Sequence, residues 1–258
     1  MTRWRQRIAV LITACLLAGC ASTSGEPSIE VAGAAGEENK TSFIAVDDPW
    51  EGLNRRIYKF NAQADRWVLL PVVDAYTTVV PLPIRDRVSD FFANIASLVT
   101  FANQVLQLEF EGAFETAMRF GANSLLGMFG LVDIATPMGL PRYNDDFGKT
   151  LGYWGLDGGP YLVLPILGPS NVRDTAGTVT DTAAFAVVDP FGASSIQSRY
   201  PAIMATDIVN ARYVQPFRYF ESGSPFEYDL VRFLYTKKRQ VEIGNLAPVS
   251  AAGDDSRP

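Results

Sequence analysis

After residue 19, no stretch of the chain approaches 18 uninterrupted apolar residues, so nothing there can cross a bilayer as a simple helix. The limit matters because the chain is greasy all the same: 48% of its residues are apolar and 12% aromatic. That is more than a spacer needs and less than a bundle of spans requires. An interfacial domain, partly sunk in one leaflet, satisfies both limits.

The N-terminus sets the compartment. Arg3, Arg5 and Arg7 form a positive region ahead of "IAVLITACLLAG", an apolar run too short to remain as a span, which is the shape of a secretory signal. It closes on Leu17-Ala18-Gly19-Cys20, which resembles a bacterial lipobox, in which the cysteine thiol takes a diacylglyceryl group before cleavage. The expected division is a signal peptide at 1–19 and a lipidated tether at 20–47, whose small, polar, aperiodic residues read as flexible coil. Ala21-Ser22, with no Asp after the cysteine, resembles an outer-membrane address.

Cysteine and histidine then restrict the chemistry. Cys15 leaves with the signal and Cys20 carries lipid, so no thiol remains for a disulfide, a metal site or a nucleophile. With no histidine anywhere, Ser-His-Asp and Cys-His arrangements and His-ligated metals are closed too. We expect no catalytic residue, no metal and no cofactor. Losing three arginines takes the basic residues from 22 to 19 against 28 acidic ones, so the formal charge moves from −6 to −9, which disfavours nucleic acid. An acyl anchor needs no basic patch, so a membrane stays open.

Residues 48–243 read as a single all-α domain, followed by an unstructured tail at 244–258. Asp48-Pro49-Trp50-Glu51 has the form of a capping box with Pro at the first helical position. Leu53, Ile57, Phe60, Ala64 and Trp67 then recur at helical steps as an apolar face, and Pro71 is expected to end that helix. A second helix opens near Pro83 with Ile84, Val88, Phe91, Phe92 and Ile95 inward. Ser224-Pro225-Phe226-Glu227 repeats the capping device before a final helix rich in Lys and Arg at its end. "YLVLPIL" at 161–167 is interrupted by Pro165, which argues against a central strand.

"DFGKTLGYWG" at 146–155 contains the Asp-Phe-Gly of kinases and the Gly-Lys-Thr of a phosphate-binding loop. A phosphate-binding loop needs glycine where Tyr143 stands, and a kinase needs a His-Arg-Asp segment in a chain that has no histidine. No nucleotide is expected. The longer stretch "DFGKTLGYWGLDGGPYLVLPILGPSNVRD" (146–174), together with "DPWEGLNRRIYKFN" (48–61) and "RFGANSLLGMFGLVDIA" (119–135), resembles the MlaA (VacJ) family of outer-membrane lipoproteins. The resemblance runs from Asp48 to about Arg239. Where this family usually places Pro and Gly the chain has Leu98 and Leu108, so its helix break between Asn94 and Gln107 is in question; Lys149 replaces a usual Gln and Ser224 a common Asp.

The resemblance implies an all-helical ring in the inner leaflet of the outer membrane, with an amphipathic channel and a Gly/Pro-rich irregular segment. It implies trimeric porins as neighbours. It also implies removal of mislocalised phospholipids from the outer leaflet and their delivery to a periplasmic lipid carrier, MlaC. A structural or assembly lipoprotein bound to porins is the alternative. A carboxylate hydrolase using Asp145/Asp146 or Asp174/Asp181 is a third reading, weakened because adjacent acids in polar loops are usually solvated.

A charged headgroup is costly to bury, so passage needs a polar lane beside an apolar wall. Gly152, Gly155, Gly158, Gly159 and Pro160 are expected to bring irregular backbone into that lane, the alternative being a plain surface loop. Tyr153, Trp154 and Tyr161 are candidate headgroup-level anchors or ordinary core aromatics. Phe60 and Asn61 belong to a candidate gate helix. After a Ser170 cap, Val172, Ala176, Val179 and Ala183 form one stripe expected to pack on the scaffold. Arg173, Asp174, Gly177 and Asp181 would then line the channel, unless that polar side simply meets the periplasm.

Overall fold

The computed structural model describes residues 46–189, 192, 201–221 and 223–246. Its elements are α1 (Glu51–Ala64), a π-helical turn (Asp65–Leu69), α2 (Leu70–Val79), α3 (Leu82–Leu106), α4 (Phe110–Leu125) and α5 (Phe147–Tyr153). A hairpin of β1 (Tyr161–Leu164) and β2 (Gly168–Asn171) follows, then α6 (Val172–Val188), α7 (Pro201–Val214) and α8 (Glu227–Leu246). The domain is helical as expected, and among the described residues no helix is long and apolar enough to cross a membrane.

Three of the helices, α1, α3 and α4, turn mainly polar residues inward. On α1, Asn54, Tyr58, Asn61 and Ala62 are buried, whereas Leu53 (55% exposed), Phe60 (53%) and the following Trp67 (72%) face outward. On α3 the buried residues are Asn94, Thr100, Asn103 and Gln104, while Phe101 and Val105 are exposed. On α4, Gly112, Ala113, Thr116, Arg119 and Asn123 turn in, and Phe110, Phe114, Met118 and Leu125 turn out at helical spacing. Buried polar residues outnumber buried apolar ones across the described residues. The expected apolar faces therefore exist, but Leu53, Phe60, Trp67 and Ile84 lie on the outside, and Val88, Phe91, Phe92 and Ile95 are only half-buried. Periodicity identifies residues that share a face; it does not say which medium that face meets.

Several local expectations are corrected by the backbone. Asp48 does not cap α1; its carboxylate accepts from Asn54 Nδ2 (2.7 Å), Tyr228 OH (2.5 Å) and Arg232 (3.0 Å), tying the start of α1 to α8. Pro71 does not end the first helix. The π turn ahead of it, with the Leu70 N–H on the Asp65 carbonyl, makes room for a residue that has no N–H and crowds the preceding turn, and the chain stays helical to Val79. Leu98 leaves α3 unbroken to Leu106, and the turn comes at Leu108, which adopts a left-handed φ of 60 while the Glu109 N–H returns to the Gln104 carbonyl at 2.9 Å. Val46 packs on the core and the Asp47 carbonyl accepts from the Tyr161 N–H, so ordered structure begins ahead of Asp48; α8 runs to Leu246, past the expected tail boundary.

Among the described residues the hairpin is the only β-structure. Pro165 does not interrupt β1, because the strand ends at Leu164 and the proline starts the turn; Tyr161 pairs with Asn171 and Leu164 with Gly168, antiparallel. The edge of β1 away from β2 is covered by α1. Asn54 accepts from the Val163 N–H (2.9 Å) and donates to the Tyr161 carbonyl (3.0 Å). Asn61 accepts from the Ile166 N–H (2.7 Å) and donates to the Leu164 carbonyl (2.9 Å). Two amides spaced seven residues apart on a helix thus stand in for a third strand. Beneath them Tyr58, Tyr161, Val163 and Tyr228 form the small apolar core, with edge-to-face ring contacts such as Tyr58–Tyr228 at 5.6 Å.

Candidate functional site

The polar interior is organised around the N-termini of α5 and α6. Asp146 caps α5, accepting from the Lys149 N–H at 2.9 Å, and Asn171 caps α6, accepting from the Asp174 N–H at 2.7 Å. Asn171, not Ser170, is therefore the cap; Ser170 ends up in β2, its hydroxyl 2.9 Å from that of Thr175. The two helices approach closely because Gly177 meets Gly148. A Cβ on Gly177 would lie 2.3 Å from the Gly148 nitrogen and 2.7 Å from its Cα.

Arg239 of α8 joins the two caps. Its terminal nitrogens donate to both oxygens of Asp146 at 2.8 Å, and its Nε donates to Asp174 at 2.8 Å. Asp174 also accepts from Arg173 (2.9 and 3.0 Å), Tyr235 OH (2.6 Å) and Asn171 Nδ2 (2.9 Å). Burial pushes the Asp146 and Asp174 carboxyls up, but the Arg239 hydrogen bonds and charge outweigh it and hold both below the usual carboxylate range. Burial works against the Arg239 cation as well, and its two carboxylate partners prevail, raising it. Each buried charge is thus compensated, the condition under which such groups are tolerated.

Two cavities flank this cluster, and Arg239 lines both. The smaller, about 310 Å³, is lined by Asp146, Lys149, Asp174, Lys238 and Glu242 and by Leu164, Leu167 and Pro169 of the hairpin. The larger, about 510 Å³, is lined by Gly155, Gly158, Gly159, Arg173, Lys237 and Asp47 among others. The first cavity is therefore lined by both charged and apolar side chains, and the second by irregular glycine backbone with charged side chains of both signs. Gly155 and Gly159 adopt positive φ (87 and 65), which explains the residue type.

The expected site residues divide accordingly. Arg173 and Asp174 are buried together and border different cavities. Gly177 lines neither; the Gly148 backbone fills the space it leaves. Asp181 also stands outside both and fastens α6 to its neighbours, accepting from the Phe147 N–H (2.8 Å) and Asn103 Nδ2 (3.1 Å); burial raises its carboxyl despite these bonds. The expected packing of the Val172/Val179 stripe is reversed: both are exposed, and the Arg173–Asp174–Gly177 side meets the scaffold. Gly152 abuts Ile243 and Arg173, and the Pro160 carbonyl accepts from the Val172 N–H. Phe60 points outward and Asn61 holds the hairpin turn. Trp154 is exposed with its indole N–H on the Leu106 carbonyl, Tyr153 is half-buried, and Tyr161 is a core residue at 1% exposure rather than an anchor. Asp145 is buried 3.4 Å from Lys149, whereas Asp146 pairs with Arg239 and keeps its side chain 40% exposed. Cys20 lies outside the described residues.

The sequence reading missed Arg239, Tyr235 and the inward amides. A signal existed: Asn103, Gln104 and Gln107 cluster on the side of α3 opposite Phe101 and Val105. There Gln107 donates to the Thr150 hydroxyl (2.9 Å), and Thr150 donates to Asn103 (2.8 Å), in a buried ladder. Farther along, Arg119 reaches Asp133, Thr136 and the Leu140 carbonyl, while Asn123 accepts from the Ile134 and Ala135 N–H groups, ordering the loop after α4.

Residues 46–242 match the family model described as MlaA lipoprotein. An uncharacterized protein of Rickettsia felis is 32% identical over 210 residues, covering 81% of this chain and 82% of that one. The Escherichia coli protein named intermembrane phospholipid transport system lipoprotein MlaA is 33% identical over 178 residues, 67% of this chain and 64% of its own. The Haemophilus influenzae protein of the same name is 32% identical over 179 residues, 68% of this chain and 66% of its own. A solved structure described under "Structural basis for maintenance of bacterial outer membrane lipid asymmetry" superposes with a TM-score of 0.61 at 28% identity, covering 77% of this chain and all of that one.

Proposed function

The chain belongs to the MlaA lipoprotein family, and from that premise we propose that it carries phospholipids across one leaflet of the outer membrane and performs no covalent chemistry on them. It takes phospholipids mislocalised to the outer leaflet and passes them through an amphipathic channel to a periplasmic carrier of the MlaC type. Acyl groups on Cys20 anchor it, the helical domain lies as a ring in the inner leaflet beside trimeric porins, and residues 20–45 are the tether. Relatives named as lipoproteins of an intermembrane phospholipid transport system support the substrate class.

One observation carries the reading: the inversion of the helices. Water-soluble domains do not expose apolar surface as continuous as Phe110, Phe114, Met118, Leu125 and Phe129 while burying Asn54, Asn61, Asn103, Gln104 and Arg119. A leaflet solvates the first set. Hydrogen bonds within the protein satisfy the second, leaving the polar side turned away from acyl chains. Arg173, Asp174 and the glycines at 155, 158 and 159 are the proposed lane, and the Phe60–Asn61 pair is the proposed gate, since Asn61 is the group that fixes the hairpin turn bordering the smaller cavity.

Native mass spectrometry of the full-length protein in detergent tests the substrate class. Phospholipid should remain bound as discrete mass additions. Protein that comes away free of phospholipid, and takes up none when it is added, contradicts transport and leaves a structural, porin-bound role.

A further inference from the structure

We infer that Arg239 is a phosphate pivot: its Nε exchanges the Asp174 carboxylate for the phosphodiester of a lipid headgroup as that headgroup passes between the two cavities. This rests on the phospholipid reading above and adds the group that handles the charge.

The argument begins with the unequal attachment of Arg239. Its contact with Asp146 uses both terminal nitrogens on both oxygens, and Asp146 is simultaneously the cap of α5. Its contact with Asp174 uses Nε alone. If Nε lets go, Asp174 still accepts from Arg173, Tyr235 and Asn171, and Arg239 is still neutralised by Asp146. The Asp174 contact can therefore open without stranding either charge, which is the usual obstacle to breaking a buried ion pair. Opening the Asp146 contact instead breaks two hydrogen bonds at once and disturbs the cap of α5.

Placement supplies the second observation. Arg239 is the cation common to both cavities, and cations lie on either side of it: Lys149 and Lys238 border the smaller cavity, Arg173 and Lys237 the larger. An anionic phosphodiester oxygen offers Nε the same kind of charged acceptor that the Asp174 carboxylate oxygen does. Leu164, Leu167 and Pro169 provide apolar wall in the smaller cavity for the glycerol and acyl portion that follows the headgroup. Asp174 is thus a resident stand-in for phosphate, keeping Arg239 paired when no lipid is present.

The test uses full-length lipidated protein in an uncharged detergent, titrated with dihexanoyl phosphatidylethanolamine, with dihexanoylglycerol (no phosphate), and with inorganic phosphate. Arg239→Lys should weaken phospholipid binding by about tenfold, the order expected for loss of a charge-assisted contact. Asp174→Asn frees Nε and should tighten it several-fold, while the diacylglycerol should bind all three proteins equally. The two variants move in opposite directions, so either remains decisive if the other fails to fold, as judged by thermal melting. Folded Arg239→Lys that binds like the parent, or folded Asp174→Asn that weakens binding, overturns the pivot while leaving lipid transport intact. Inorganic phosphate bound as tightly as the phospholipid assigns the site to free phosphate and overturns it as well. A parent protein that binds neither lipid contradicts the transport reading itself.

Discussion

Asn54 and Asn61 each satisfy one backbone N–H and one carbonyl at the open edge of the hairpin. Substituting either with Leu removes two hydrogen bonds and leaves buried backbone groups unpaired, which costs about 2–3 kcal/mol. Asn61→Leu should lower the denaturation midpoint in detergent by that equivalent, whereas Phe60→Ala, on the outward side of the same turn, should change it little. If Asn61 is the gate residue, its variant should also release the hairpin and make the outer membrane leaky at normal protein levels. Equal effects from both substitutions would show that Asn61 is no special support. Leu108 presents the opposite case, a residue whose backbone conformation suits glycine. Because Leu108 is exposed, Leu108→Gly should stabilise the protein by about 1 kcal/mol through relief of the left-handed strain. A loss of stability would mean that its side chain contributes more on the outer surface than its backbone costs.

At the scale of elements, the α5–α6 contact depends on two glycines with no room to spare. Gly177→Ala drives a methyl into the Gly148 backbone and should destabilise by about 2 kcal/mol or more, whereas Gly121→Ala on α4, where nothing lies within 4 Å, should be neutral or stabilising by up to about 1 kcal/mol. Thermal melts of the pair distinguish helix contact from open channel at Gly177. The loop after α4 is held partly by charge. Burial pushes the Asp133 carboxyl up, but Thr136 and the Arg119 guanidinium hold it at about 2, below its ordinary 3.8. Its contribution is therefore complete above about pH 4 and lost as pH falls toward 2, on the order of 2 kcal/mol. Asp133→Asn should abolish the acid-dependent part of stability in that window; an unchanged profile would show that another carboxylate controls it. The apolar periodicities of α1 and α3 were readable because they follow from local chemistry, whereas the cap of α6 was placed at Ser170, one residue before Asn171. The hairpin and the Pro71 passage were not, because each depends on partners distant in sequence: Asn54 and Asn61 for β1, and a π turn for the proline. Arg239 was equally hidden, since its two carboxylates lie 93 and 65 residues away.

For the whole molecule, the sequence contains the pattern of an inverted protein but not its sign. Leu53, Phe60 and Trp67 repeat as a core-facing stripe would, and only the burial of Asn54, Asn61 and Asp65 beside them shows which side is inside. The central claim is that this apolar exterior meets acyl chains. Tryptophan fluorescence tests it directly, because Trp67 (72% exposed) and Trp154 (55%) lie on the outer surface. Mature protein reconstituted into vesicles of lipids brominated along the acyl chains should show strong quenching of both, read one at a time once Trp50 is also replaced, in the Trp50→Phe/Trp154→Phe and Trp50→Phe/Trp67→Phe double variants, and weak quenching by aqueous iodide. Full accessibility to iodide with no quenching by the brominated chains would contradict an embedded domain and place these helices in water.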